Sequence, residues 1–334
     1  MRGNSMIIFG GEPLFRHYNQ DVNLKLIDRL ILKTEGGFDF NLQMFNEDFT
    51  LLFRSVDRRG GNLFDIESND NALLQVLLGN VRALYSEHTI DSTICELVKD
   101  IAKSLIWSGR AYYFVKKDID NGKVYVVPLS SVGVFQLLGK YIQWIPERLE
   151  RHWNKDDEEL PREIRILETT QIMRFDLPKS MKRLLSAQNK ILSVIDQYRH
   201  AGINFLPHAT YENPSPTNFF DFGAWNNIQE HIFYRATQET GWNGRQYDSS
   251  KRSDFFDCFR LIRFRRNQLK LRDHILHQVS SELTKIGKIY KPDFFVEISG
   301  SDDLLSIAEL NELESRLENE EVGFSEIIDY CYKR

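Results

Sequence analysis

Apolar residues recur at helical spacing from Asn71 to Leu78 and again from Asp91 to Trp107, where Ile94, Leu97, Val98, Ile101, Leu105 and Ile106 trace one face. This predicts two helices facing a core, the second capped by Asp91 or Ser92 and ended by Gly109. Past Gly109 the period changes. Ala111-Tyr-Tyr-Phe-Val115 and Lys123-Val-Tyr-Val-Val127 flank a turn at Asp118-Ile-Asp-Asn-Gly122 and predict a hairpin. Val132–Leu138 and Tyr141–Ile145, on either side of Gly139-Lys140, predict another, with a solvated loop at Lys155–Glu159 and a strand at Ile172–Phe175.

Helical spacing returns from Met181 to Tyr198 and yields to Asn204–Asn218, which holds Pro207, Pro214 and Pro216 and is the expected hinge. Ser253 opens a long helix to about Ile286, striped by Phe255, Phe256, Phe259, Ile262, Leu269, Ile275, Leu276, Val279 and Leu283. Pro292 bars its continuation; Phe294–Ile298 predicts a strand, and Leu304–Leu317 and Ser325–Tyr330 a helix pair split at Gly323. The sum is an α+β fold, predominantly helical with a central β-rich module. Its expected blocks are 1–108 (helical), 109–178 (β-rich), 179–252 (helix and proline-rich hinge) and 253–334 (long basic helix, strand and acidic helices).

With 42% hydrophobic and 27% charged residues the chain is expected to fold, and its 334 residues allow about two domains. A net charge of −5 excludes a whole-protein footprint for nucleic acid or anionic membrane, so any polyanion contact must be local. Cys95, Cys258 and Cys331 lie far apart, as expected in a reducing compartment. The apolar run Ile7-Ile8-Phe9 is too short for a signal peptide, and no stretch approaches the ~18 apolar residues of a membrane helix, so the expectation is no membrane association.

Three near-motifs occur. Gly133-Val-Phe-Gln-Leu-Leu-Gly139-Lys140-Tyr141 has the outline of a phosphate-binding loop, but its spacing is too long, Tyr141 replaces the Mg²⁺-binding hydroxyl, and its bulky interior favours a strand. Pro292-Asp293 and Glu297 have the outline of a nuclease acidic pair, with Ser299 where the lysine belongs. Asp273, His274 and His277 share a turn without further ligands. The expectation is therefore no catalytic residue, no metal and no cofactor. The strongest charge feature is a basic segment, Arg260, Arg263, Arg265, Arg266, Lys270 and Arg272, with Arg263, Arg266 and Lys270 on one helix face. It suits either a phosphate backbone or the acidic tail, in which Glu314, Glu318 and Glu321 are the interface candidates, within one chain or between subunits. Of these, the tail is preferred.

In order, these segments resemble the core of a tailed-bacteriophage portal protein. The resemblance begins at Ile101-Ala-Lys-Ser-Leu-Ile-Trp-Ser-Gly109-Arg-Ala111-Tyr-Tyr, similar to that family's passage from helix through glycine into wing strands. It continues through Asp118–Gly122, Val124–Leu129 and Tyr141–Pro146 to the long helix, the Phe294–Ile298 strand, Ala308-Glu-Leu-Asn-Glu-Leu-Glu and Glu321-Val-Gly323-Phe-Ser-Glu326-Ile-Ile. It implies a structural ring, expected to be a dodecamer of this chain, with double-stranded DNA in its channel. The implied partners are a terminase large subunit, the capsid and head-tail adaptor proteins. It implies a virion location after assembly in the host cytoplasm, and roles in genome packaging and head-tail connection. Gly202–Ser250 is short for the family's stem-and-clip insertion, which implies a reduced clip. The alternative is a soluble, cytoplasmic nucleic-acid-binding protein or metal-dependent nuclease, such as a phage-defence factor, using the basic segment.

Overall fold

The computed structural model describes residues 7–14, 25–32, 40–53, 63–79, 89–117, 124–150, 158–212, 222–245 and 252–333. The chain is an α+β fold made of two compact units, each assembled from separated stretches: residues 1–36, 64–176 and 275–299 in one, and 37–63, 177–274 and 300–334 in the other.

The first unit holds the β-rich module. Helix α4 (Ile90–Ser108) is capped by the Thr89 hydroxyl, which accepts from the Ser92 amide, and ends at Gly109 in the left-handed region at φ 70°. The cap is one residue outside the helix, upstream of the two positions that the pattern suggested. Gly109 delivers the chain directly into β3 (Arg110–Lys117), which pairs antiparallel with β4 (Val124–Leu129) and β10 (Ile172–Asp176). The expected turn at Asp118–Gly122 lies outside the described residues. Ala111 through Val115 are all buried, because α4 and α3 (Asn71–Gly79) cover one face of this sheet while Tyr112 and Phe114 meet Val134, Tyr141 and Leu167 on the other. Those last residues belong to a second sheet of order β1-β9-β6-β5, with β1 at Ile7–Gly11, β5 at Val134–Leu137, β6 at Lys140–Ile145 and β9 at Glu163–Leu167. The short pair β7 (Arg148–Glu150) and β8 (Glu158–Leu160) extends the module, so that the last two positions of the expected loop Lys155–Glu159 are strand; residues 155–157 lie outside the described ones.

The phosphate-loop lookalike is the β5–β6 hairpin. Its two-residue turn is Leu138-Gly139, with φ of 50° and 77°, one residue earlier than Gly139-Lys140. A mirror-image turn of this kind demands positive φ at both positions, which a leucine adopts at a cost, and Leu138 is 95% exposed with nothing to recover there. Leu138→Asn should therefore stabilise the chain by about 0.5–1 kcal/mol in denaturant unfolding. An unchanged or lowered midpoint would show that the turn is not strained.

Helix α1 (Leu26–Leu32) is held to this unit by its acid. Asp28, 0% exposed, accepts from Arg162 Nε at 3.0 Å and Nη2 at 2.9 Å and from Trp144 Nε1 at 2.9 Å. The ion pair holds the Arg162 guanidinium above its ordinary pKa. Strand β11 (Val296–Gly300) pairs with β2 (Phe64–Ser68), and its Val296 and Ile298 amides donate to Thr284 Oγ1 at 3.2 Å and Ser280 Oγ at 2.9 Å. Two hydroxyls one turn apart on a helix thus complete a strand's edge.

The second unit is helical: α2 (Phe40–Phe49), α5 (Lys179–Glu212), α6 (Phe222–Ala236), the first part of α7 (Asp254–Tyr290), α8 (Ile307–Glu318) and α9 (Phe324–Lys333). Helix α5 runs past Pro207 into the segment expected to be a hinge; a proline forfeits one helix hydrogen bond without ending the helix when the turns on either side persist. Residues 213–221 lie outside the described ones. Phe45, Phe49, Phe233, Trp242 and Phe264 form an aromatic core with ring centroids 5.1–5.5 Å apart. Ser306 and Glu309 close a reciprocal cap at the start of α8, three residues after the position that the pattern gave.

Candidate functional site

The basic segment lies on the part of α7 that belongs to the helical unit, and its side chains differ sharply in surroundings. Arg260 is buried. Its Nε donates to Asn243 Oδ1 at 2.6 Å, Nη1 to the Tyr234 carbonyl at 3.2 Å, and Nη2 to the Trp242 carbonyl at 2.6 Å and Thr237 Oγ1 at 2.6 Å. The guanidinium carbon lies 5.3 Å from the ring centroids of both Tyr234 and Phe256. Burial pushes its pKa down to about 10, so it remains protonated at neutral pH. The turn that it clamps is pressed against α7: a Cβ on Gly241, at φ +78°, would lie 2.3 Å from the Arg260 carbonyl oxygen.

The neighbours follow the same logic. Arg263 donates to the Gln238 carbonyl at 3.1 Å and covers the Phe259 ring at 4.9 Å. Arg265, fully buried, donates to Gln268 Oε1 at 2.8 Å, and Gln268 Nε2 in turn faces the carbonyls of Asp48, Phe49 and Leu51 at 2.9, 3.2 and 3.3 Å. This side chain supplies donors to carbonyls at the C-terminal end of α2. Arg272 donates to the Leu305 carbonyl at 3.0 Å and meets Asp273 at 2.8 Å. Arg266 forms a half-buried ion pair with Glu314 on α8, inside one chain. Lys270 is exposed, as are Glu318 and Glu321.

The helical-face pattern therefore brings together only Arg266 and Glu314 among the residues singled out. Arg260 and Arg272 bind the chain's own carbonyls, which a charge pattern cannot distinguish from a solvated stripe. Gln268 was missed altogether, since an uncharged residue in a basic run carries no signal. Reversing Arg266 to Glu should cost ~1–2 kcal/mol of chain stability, and adding Glu314→Arg should recover at least half of it in a double-mutant cycle. Additive costs would show that the pair is not coupled.

Asp273 aside, the other near-motifs lie apart from the basic segment's contacts. Glu297 points outward from β11 while Val296 and Ile298 point inward, and the Asp293 carbonyl accepts from Asn69 Nδ2 at 2.6 Å in the turn after α7. His274 is half-buried and His277 exposed. Among the described residues no group of three or more His, Cys, Asp or Glu is placed to hold a metal ion, and no helix is long and apolar enough to cross a membrane.

No family model matches the sequence, and comparison with curated proteins finds no relative. Among solved structures, similar chains occur in gene transfer agent (GTA) particles. One, from the neck of an empty particle resolved with C6 symmetry, has a TM-score of 0.47 at 9% identity, covering 94% of this chain and 92% of that one. Another, from the neck of a native particle with C12 symmetry, has a TM-score of 0.45 at 10% identity, covering 96% and 95%. A third, from the native virion, has a TM-score of 0.42 at 9% identity, covering 94% and 92%.

Proposed function

We propose that this chain is a ring-forming, portal-like structural subunit that surrounds double-stranded DNA at the vertex of a phage-type capsid and joins head to tail, with no chemistry of its own. The observation that carries the reading is the order of elements. Helix α4 passes through left-handed Gly109 into a β-rich module; α5 and α6 follow; then come the 37-residue α7, β11 and the terminal helices α8 and α9. This is the order in which the sequence segments resemble the portal family. The capsid, the terminase large subunit and head-tail adaptor proteins are the partners of that role. The nuclease alternative has less support, because Arg260, Arg266 and Arg272 of its proposed DNA surface are engaged within the chain.

Negative-stain images of concentrated protein should contain closed rings of about a dozen subunits. Monodisperse monomers or two-fold dimers at every concentration would sink the proposal. Purified protein should neither hydrolyse ATP nor cut DNA with Mg²⁺ or Mn²⁺; cleavage lost in Asp293→Ala or Glu297→Ala would replace it with the nuclease reading.

A further inference from the structure

The sheet of order β1-β9-β6-β5 leaves two strands at its ends, and both are undefended. An end strand presents a row of backbone N–H and C=O groups that another strand can pair, and proteins guard such rows with charges or proline. The other end strands described are guarded. β4 carries Pro128, β10 Arg174 and Asp176, β2 Asp65 and Glu67, β11 Glu297, and β7 and β8 two charges each. β1 (Ile-Ile-Phe-Gly-Gly) and β5 (Val-Phe-Gln-Leu) have neither.

Their surroundings agree. In β1, Ile8 and Phe9 point to opposite faces of the sheet yet are 64% and 42% exposed, and Gly10 and Gly11 are exposed beside them. In β5, Gln136 and Leu137 are exposed. The Arg165 guanidinium lies 5.3 Å from the Phe9 ring, and Gln136 accepts from Arg174 Nη1 at 2.6 Å. Both are side-chain contacts, and neither bonds the backbone of an end strand. Among the described residues no strand lies beyond β1 or β5.

We propose that the β5 edge of one copy pairs with the β1 edge of the next, carrying the sheet across the subunit boundary. The occupant follows from the sheet itself. A head-to-tail join fills both open edges with one kind of contact, whereas β1 against β1, or β5 against β5, about a two-fold axis leaves the other edge bare. Polarity fits as well: β1, β9 and β5 run one way and β6 the other. A neighbour one step around a large ring is turned only slightly, so its β1 lies parallel to β5, as β1 already lies parallel to β9. The inference rests on the ring-forming reading above and names the contact that closes the ring.

The test uses the full chain with Ile8→Cys and Leu137→Cys, singly and together, and a bismaleimide too short to span the three strand spacings, ~14 Å, between β1 and β5 of one chain. In the assembled double variant, neighbouring copies should link into a ladder. Each single variant should stay unlinked, because like positions in adjacent copies lie four spacings apart, ~19 Å, and the described thiols Cys95, Cys258 and Cys331 are buried. In parallel, Ile8→Lys should raise the concentration for half-assembly by roughly tenfold or more, and Leu137→Glu added to it should restore much of the loss. The unaltered chain gives a reading free of mutation: on assembly, amide exchange over residues 7–11 and 134–137 should slow by roughly tenfold or more, while that of β4 stays as it was. If the cysteines prevent folding, this exchange measurement decides, and unchanged exchange in rings overturns the pairing. Intact rings with no ladder, or with Ile8→Cys linked to itself, would overturn the pairing and leave the ring reading standing. A ladder in open filaments would support the pairing and refute the closed ring. No ladder, unchanged exchange and no self-association would remove both.

Discussion

An Arg260→Ala chain is expected to lose ~3–5 kcal/mol in denaturant unfolding, the range seen when a buried charge with a full set of partners is removed. The loss comes from what stays behind. The carbonyls of Tyr234 and Trp242, the side chains of Thr237 and Asn243, and the rings of Tyr234 and Phe256 are arranged around a guanidinium that no other element supplies. Arg260→Lys should recover little, because an ammonium is a single point with three donors and cannot span acceptors that a planar fork reaches together. The pH dependence is equally specific. Burial lowers the folded-state pKa to about 10, so the unfolded chain holds the proton more tightly, and this group adds stability only as pH rises through that value. Between pH 5 and 8 it should contribute no slope. A loss under 1 kcal/mol for Arg260→Ala would show that the 237–243 turn is held by something else.

Removing the Asp28 carboxylate should have an effect of similar size in the other unit. Asp28→Ala leaves the nearly buried Arg162 and the Trp144 indole N–H without their acceptor, for an expected cost of ~3–5 kcal/mol. Hydrogen exchange should localise the change, with the amides of α1 losing protection before those of β6 and β9. The double replacement Asp28→Leu with Arg162→Met should return much of the stability, since an apolar pair spares both desolvation penalties. If the double variant is as unstable as Asp28→Ala alone, the packing around the pair rather than its charge is responsible.

How far the sequence reveals this fold depends on the range of the interaction involved. Gly109 is legible because a helix that must end and turn into a strand needs a residue that tolerates positive φ. The helix stripe of Ile94 to Ile106 and the β5–β6 hairpin are legible for the same reason: the periodicity is local. What the pattern does not carry is pairing between distant segments. Strand β1 joins β9 in parallel from more than a hundred residues away, and β2 finds β11 across most of the chain. Neither strand has a neighbour in sequence to announce it. The basic segment shows the limit on the functional side. Its charges are evident in the sequence, but whether an arginine faces DNA, a neighbouring subunit or a carbonyl of its own chain depends on Gly241 and Asn243 in a turn that periodicity cannot place. Helix α1 is the hardest case: hydrophobicity alone predicts Leu26 and Leu30 inside with Leu32, whereas they are exposed and Asp28 is buried.

Each unit is stitched from stretches near both ends of the chain, and this bears on how the protein is made. With strand β11 required to complete β2, and α8 and α9 completing the helical core around Ile262 and Leu269, neither unit can close until residue 300 or beyond has emerged from the ribosome. Such contacts of long sequence separation slow folding and leave apolar surface waiting during synthesis. The nascent chain thus carries unburied apolar surface over most of its translation, and truncation between β10 and β11 leaves not one finished unit but two unfinished ones.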